Sequence, residues 1–299
     1  MQVGSTESRP CPGCRGSAGQ TLGSVNGYDM RACAACRTLF TAQLPVAEEA
    51  KDYEDFYAQA RDVPVPEFVL GRLEEIVDGF ERYRQGNRWL DIGCGAGMLL
   101  RAAANRHWDI TGTEVAPAAA EPLRSQGFNV LVGETHELDL PPGHFDLVSL
   151  VEVVEHVHDP AAVLSDAARF LRPGGALYVT TPHGRGISAR LLRLRWGAIA
   201  PPEHLQLFSI GGLRSALVST GLQPHSISTT AVNPYEIVAA IRSGRAREGT
   251  GSGTEATYQL NEALSTKRTG VVLKRAVNGV LTATRLGDTL KVTAQRPGA

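Results

Sequence analysis

Between about residues 85 and 230, short continuous apolar runs alternate with stretches whose apolar residues recur every three or four positions. The first kind suits strands buried on both faces, and the second suits helices that bury one side. The runs are Trp89-Leu90-Asp91-Ile92, Asp109 to Val115, Asn129 to Gly133, His144 to Val151 and Ala176 to Thr181, with a sixth over about Leu222 to Thr230. Helices are expected over about 97–107, behind Asp159-Pro160, and from Ser209 to Gly221. In the second, Asp159 and Pro160 are a fitting N-cap and first residue, Val163, Leu164, Ala167, Phe170 and Leu171 form the buried stripe, and Pro173-Gly174-Gly175 stops it. Strand–helix alternation of this kind predicts an α/β fold with a doubly wound, mostly parallel sheet.

The flanks follow other rhythms. From Pro66 to about Tyr83, Val69, Leu70, Leu73, Ile76, Val77 and Phe80 fall at helical intervals, in a helix expected to pack across the sheet edge. Residues 184–200 place Arg185, Arg190, Arg193 and Arg195 among leucines, as in an amphipathic helix with a solvated basic face. Beyond Ala231, a Gly/Ser/Thr-rich stretch from Ser243 to Gly253 reads as a loop, and Tyr258–Leu264 and Val271–Leu281 read as helical. Gly287–Ala294 is expected to close the fold as an antiparallel last strand at the sheet edge. The resulting plan is a cysteine-bearing segment at 1–45, a linker and helix at 46–84, a core at 85–230, a helical insertion at 231–286 and a last strand and tail at 287–299. The insertion is placed either to cap an acceptor pocket or to serve as a structural hairpin.

The 30 Lys and Arg against 31 Asp and Glu leave no strong field, which disfavours nucleic acid and anionic membranes as partners. No apolar run is long enough to span a bilayer, and the first residues lack the apolar core of a signal peptide. A cytoplasmic protein, monomer or homodimer, is expected. In that setting cysteines serve as thiols or metal ligands. Cys11-Pro12-Gly13-Cys14 and Cys33-Ala34-Ala35-Cys36 give C-x2-C-x18-C-x2-C, the spacing of a zinc ribbon. Four thiolates leave a zinc ion no open position, so its role would be structural.

The chemistry centres on Asp91-Ile92-Gly93-Cys94-Gly95-Ala96-Gly97. A strand, a glycine turn and a helix start place backbone N–H groups beside a ligand. Asp91 at the strand end would repel a pyrophosphate but suits the ammonium and sulfonium of S-adenosylmethionine (SAM). The spacing is Gly-x-Gly-x-Gly, which also departs from the dinucleotide fingerprint. Glu114 ends the second strand, where a carboxylate can accept both ribose hydroxyls, with Val115 beside it. Glu134 and Thr135 are the expected adenine contacts, and Glu152, at the end of the fourth strand, lies near the methionine end. Cys94 occupies a turn position and need not be chemical.

These residues, with Phe145-Asp146-Leu147-Val148, the stretch from Glu152 to Pro160 and Leu171-Arg172-Pro173-Gly174-Gly175, resemble a class I SAM-dependent methyltransferase over about 85–230. Glu152 to Pro160 is similar to the branch containing ubiquinone-pathway O-methyltransferases. The cysteine pairs, the Tyr53–Tyr57 segment and Pro201-Pro202-Glu203-His204-Leu205 look more like bacterial methyltransferases with an N-terminal zinc segment, which often act on sugar-nucleotide or natural-product scaffolds. The sugar C-methyltransferases of that group carry a further C-terminal domain that this chain is too short to hold. The resemblance implies a Rossmann-like sheet, SAM as donor with S-adenosylhomocysteine as product, and a small-molecule acceptor at O, C or N. His204, His156 and His183 are the candidate bases, His204 first because Pro201-Pro202 fixes its approach and Glu203 is adjacent. Tyr53 and Tyr57 either pack between segments or touch substrate. The alternative is a SAM-binding regulatory protein that docks a partner through the zinc ribbon.

Overall fold

A computed structural model describes residues 9–17, 19–45, 67–243 and 268–298. The N-terminal part forms β1 (Gln20–Val25), β2 (Tyr28–Ala32) and β3 (Leu39–Thr41). Then come α1 (Glu67–Asp78), β4 (Arg88–Ile92), α2 (Met98–Asn105), β5 (Asp109–Glu114), α3 (Pro117–Ser125) and β6 (Asn129–Val132). The second half holds β7 (Phe145–Val151), α4 (Pro160–Phe170), β8 (Leu171–Pro182), α5 (Ile187–Leu192), β9 (Gln206–Leu207) and α6 (Ile210–Ser219). It closes with β10 (Gln223–Thr230), α7 (Pro234–Ser243), α8 (Arg268–Thr284) and β11 (Thr289–Gln295).

Seven strands make one sheet in the order β10-β11-β8-β7-β4-β5-β6, with β11 antiparallel to both neighbours and the other pairs parallel. Successive side chains on its central strands go to opposite faces. Trp89, Leu147 and Tyr178 meet Val77, Leu100 and Leu123 from α1, α2 and α3 on one side, while Leu90, Val148 and Leu177 meet Leu164, Phe170 and Leu217 from α4 and α6 on the other. The continuous apolar runs therefore follow from burial on both faces. Truncating the fully buried Phe170 to alanine would cost about 3–5 kcal/mol.

Four expectations are corrected. The α1 stripe packs on the sheet face with α2, because Leu70, Leu73 and Ile76 find the apolar surface around Trp89 there. Helix α4 stops at Phe170, and Pro173-Gly174-Gly175 lies inside β8, not between helix and strand. A Cβ at Gly175 would sit 3.0 Å from the Asp146 carbonyl oxygen, so the strands approach closely only because this residue has none. Strand β11 is interior, with Leu290, Val292 and Ala294 buried, and the edge falls to the half-exposed β10. The arginine-rich helix is only the short α5; Arg193, at φ +52°, breaks it, and a 3-10 turn Arg193–Arg195 follows. Residues 244–253 and 258–264 lie outside the described residues.

A second sheet runs β1-β2-β3-β9. Its last strand comes from the far side of the chain: Leu39 pairs with Leu207 and Phe40 with Gln206. The cysteine-bearing segment is thus stitched to the stretch that carries His204. Ser209 strengthens the join, capping α6 through the Gly212 N–H at 2.9 Å while its hydroxyl donates to the Cys36 carbonyl.

Candidate active site

The glycine turn lies at the carboxyl end of β4. Gly93, Gly95 and Gly97 have φ of +68°, +51° and +71°, a region glycine enters without strain. A Cβ on Gly93 would come within 2.7 Å of a Val153 methyl, so the turn lies directly against the segment following β7. The Glu114 carboxylate is fixed by three backbone donors, Gly95 and Val115 at 2.9 Å and Ala116 at 3.0 Å. Asp91 is buried and accepts from the Ser149 hydroxyl at 2.5 Å, which in turn accepts from the Trp89 indole at 2.8 Å. Burial, and secondarily the charge of Glu114, pushes Asp91 up to about 7 against the opposing Ser149 hydrogen bond.

Two buried carboxylates beside one glycine turn and the start of α2 suit a ligand that brings positive charge to one and hydroxyls to the other. That is the chemistry of SAM, and the residues present fit it. Val115 is exposed beside the turn, and Glu134 is exposed after β6. Thr135 is buried and donates its hydroxyl to Asp166 at 3.1 Å, tying the loop to α4. The Cys94 side chain turns inward toward Gly112, where burial raises its thiol above the usual range; its backbone, not its sulfur, shapes the turn.

A family model described as a methyltransferase domain matches residues 67–227. The chain belongs to this family. It is a SAM-dependent methyltransferase. A ubiquinone biosynthesis O-methyltransferase of Idiomarina loihiensis is 30% identical over 181 residues, covering 56% of this chain and 72% of that protein. Proteins of the same name from Methylococcus capsulatus and Xylella fastidiosa are 34% and 36% identical, over 40% and 32% of this chain and 51% and 42% of their own lengths. Among solved structures, a SAM-dependent methyltransferase from Archaeoglobus fulgidus superposes with a TM-score of 0.52 at 18% identity, over 77% of this chain and 93% of that one. A geranyl diphosphate methyltransferase in complex with GPP and sinefungin gives 0.51 at 16%, over 76% and 77%. Both are likenesses of fold.

The remaining candidate site residues begin after β7, in the segment against which the glycine turn lies. Glu152, at φ +54°, sits in a left-handed conformation uncommon for a residue with a Cβ, of the kind that clusters at functional sites. Its carboxylate accepts from Thr180 at 2.7 Å, and burial of that group raises its pKa. Glu155 is fully buried; Thr181 donates to its Oε2 at 2.9 Å, while Oε1 has no hydrogen-bond partner among the described residues. Burial and then the charge of Glu152 raise Glu155 well above the usual carboxylate range.

His156 and His204 meet edge to face with ring centroids 4.6 Å apart. The Nδ1–H of His156 donates to the Glu203 carbonyl at 2.9 Å, and that of His204 to the Ala198 carbonyl at 2.7 Å. A carbonyl accepts only from N–H, so each neutral ring carries its lone pair on Nε2. Glu203 therefore contributes a main-chain oxygen to this pair. Burial lowers both histidines, His156 to about 4. His183 lies outside this cluster, buried, with Nδ1 bonded to the Gly287 carbonyl at 2.9 Å, and has the setting of a structural histidine.

The turn is braced from the second sheet. The Glu155 carbonyl accepts from the Leu205 N–H at 2.8 Å, and the Gln206 amide donates to Val154 and Val157 at 2.7 and 2.8 Å. Behind it, Cys11 and Cys36, and Cys14 and Cys33, have Sγ atoms 3.5 Å apart, well beyond a disulfide bond. A tetrahedral zinc at about 2.3 Å from each sulfur has edges of about 3.8 Å, so the four thiols fit that ion with little movement.

Sequence reasoning places Glu155, with Glu152 and His156, at the strand end where ligands bind, and gives no site role to Ser149, Thr180, Thr181 or Gln206. The partners of Glu155 are not legible there, because they come from Thr181 on β8 and from the N–H groups of Leu205 and Gln206. Tyr53 and Tyr57 lie outside the described residues. A polar groove lined by Arg82, Tyr83, Arg172 and His225 lies at the opposite end of the parallel strands, where Arg172 and backbone N–H groups of Gln85 and Arg88 hold Asp146.

Proposed function

We propose that this enzyme methylates a hydroxyl oxygen on a small-molecule acceptor, a phenolic, natural-product or sugar-type scaffold. The observation that carries the reading is the pair of half-buried histidines in ring contact after β7 and before β9, each with Nδ1 bonded to a main-chain carbonyl. The name of the relatives, ubiquinone biosynthesis O-methyltransferase, supports oxygen as the atom methylated. When bound, SAM supplies an electrophilic methyl carbon on a sulfonium leaving group. Asp91 holds the ammonium and Glu114 the ribose hydroxyls. His204 takes the acceptor proton at Nε2, and His156 orients it. Burial keeps both rings neutral and weakly basic, which suits a hydroxyl of low pKa better than an aliphatic alcohol. The cysteines hold a structural zinc that fixes β3 and, through it, β9. A reducing, cytoplasmic setting keeps those thiols available.

Labelled SAM offered with phenol, sugar-nucleotide and amine pools tests the acceptor class. Label appearing only on nitrogen or carbon overturns it. His204→Ala should retain SAM affinity and lose roughly 10²–10⁴-fold in turnover, the usual worth of a positioned base. Wild-type turnover in that variant removes His204 from the mechanism.

A further inference from the structure

We infer that Arg72 of α1, Lys274 of α8 and Lys291 of β11 form the recognition site for a phosphate or carboxylate group carried by the methyl acceptor. Assigning that anion to the acceptor rests on the proposed small-molecule methylation; the anion site itself does not.

Three separate elements bring the cations together. Lys291 pairs with Thr180 across β11 and β8, and directly opposed residues project from the same face of a sheet. Thr180 lies two residues from Tyr178, and Asp91 two from Trp89, so Lys291 and Asp91 rise from the one face that α1 and α2 cover. In the strand order β11-β8-β7-β4 they stand three spacings apart, about 14 Å in the hydrogen-bonding direction, and Glu152 at the end of β7 falls between them. Helix α8 lies beside α1, where Arg275 meets Glu75 at 4.0 Å. One position earlier on α8 and one turn earlier on α1, Lys274 and Arg72 come within electrostatic reach of Lys291.

The cluster is unbalanced. The carboxylate whose field reaches Lys291 is Glu152, which is itself bonded to Thr180 at 2.7 Å. Arg72 and Lys291 make no side-chain hydrogen bond or ion pair among the described residues. Lys274 and Lys291 are half-buried. Burial, and secondarily the charge of Arg72, lowers both, Lys291 to about 8. Like charges held together away from bulk water destabilise the free protein, and a bound anion reverses that cost. The forked guanidinium of Arg72 matches the paired oxygens of a phosphate or carboxylate, and the two ammonium groups add point charge. An acceptor so held has its anion beyond Glu152 and its other end toward the glycine turn.

The test uses full-length protein with zinc on its cysteines and S-adenosylhomocysteine bound, and calorimetry of phenyl phosphate and benzoate against neutral phenol and benzyl alcohol. At least one anion should bind roughly tenfold tighter than its neutral counterpart, the margin expected of charge-assisted hydrogen bonds, and the tighter anion names the group. Arg72→Gln and Lys291→Met should each remove most of that margin, leave SAM affinity unchanged, and keep the urea midpoint at or above wild type because a repulsion is relieved. Lys291→Arg should keep the margin, as should Arg82→Gln in the groove at the opposite end of the strands. Equal affinity for charged and neutral probes, a margin that survives both charge-removing substitutions, or one lost in Arg82→Gln overturns the site. The acids among residues 48–55, outside the described residues, would then be left to balance the three cations. Should Lys291→Met fail to fold, Arg72→Gln, at an exposed position, decides. Label found only on nitrogen or carbon with the anion margin intact would sink the proposed hydroxyl and not the site.

Discussion

Gly93→Ala tests whether the glycine turn and the histidine segment are one mechanical unit. An alanine held at φ +68° costs about 1–2 kcal/mol in the left-handed region. Its Cβ would stand 2.7 Å from Val153 Cγ2 and 3.5 Å from Cγ1, whereas carbon pairs settle at about 3.5–4.0 Å. Opening that gap by about 1 Å is overpacking, worth about 1–3 kcal/mol. Together the two terms predict a destabilisation of about 2–5 kcal/mol. Val153→Ala removes the offending methyls and by itself costs about 1 kcal/mol, because the side chain is only half-buried. The double variant should therefore be less destabilised than the sum of the singles by about the clash term, 1–3 kcal/mol. Urea unfolding of the four proteins measures this. The Val153 carbonyl accepts from the His156 N–H at 3.0 Å, so displacing Val153 displaces His156, and turnover should fall further than SAM affinity. Singles that add to within about 0.5 kcal/mol would refute the clash, and a turnover loss no larger than the affinity loss would refute the linkage.

Ionised Asp91 attracts an ammonium, and its folded pKa of about 7 means that SAM affinity should rise between pH 6 and 7.5, before an α-amino group near 7.7–8 begins to lose its proton. Asp91→Asn should flatten that rise in calorimetry. His156 and His183 have folded pKa values of about 4 against about 6.5 unfolded, so below pH 6.5 the unfolded chain binds more protons and stability drops as pH falls to 4. The buried carboxylates, raised in the folded state, act in the opposite sense, so the measurement is a difference: the urea midpoint of the wild type relative to His183→Gln should decline across that window, and a constant difference contradicts the burial of this neutral ring. Stripping metal from the cysteines under reducing conditions should lower turnover more than SAM affinity, because β3 braces β9 and not the glycine turn; equal losses of both would argue for global unfolding instead.

Much of this architecture was legible in the chain because the signals are local. The β4–Gly93–α2 unit, Glu114 at the end of β5, the Asp159 cap and the paired cysteines each declare themselves within a few residues. The acceptor end is different. Glu155, Thr181 and His204 come from three separate segments, and no periodicity links them. Two-residue β9 is too short to announce itself, and the interior place of β11 is a topological choice that an alternation pattern shared with edge strands does not reveal.

The pairing of Leu39 with Leu207 has a consequence for the order in which the molecule can be made. The cysteine segment leaves the ribosome ahead of the core, yet its sheet stays one strand short until five of the core's seven strands have been synthesised. Closing so long a loop costs entropy that only the late contacts repay. Until then β3 is an open edge, exposed to pairing with the wrong partner. Metal capture by the thiols would hold that edge short and in register during the wait, which makes zinc supply during synthesis a determinant of yield as well as of activity.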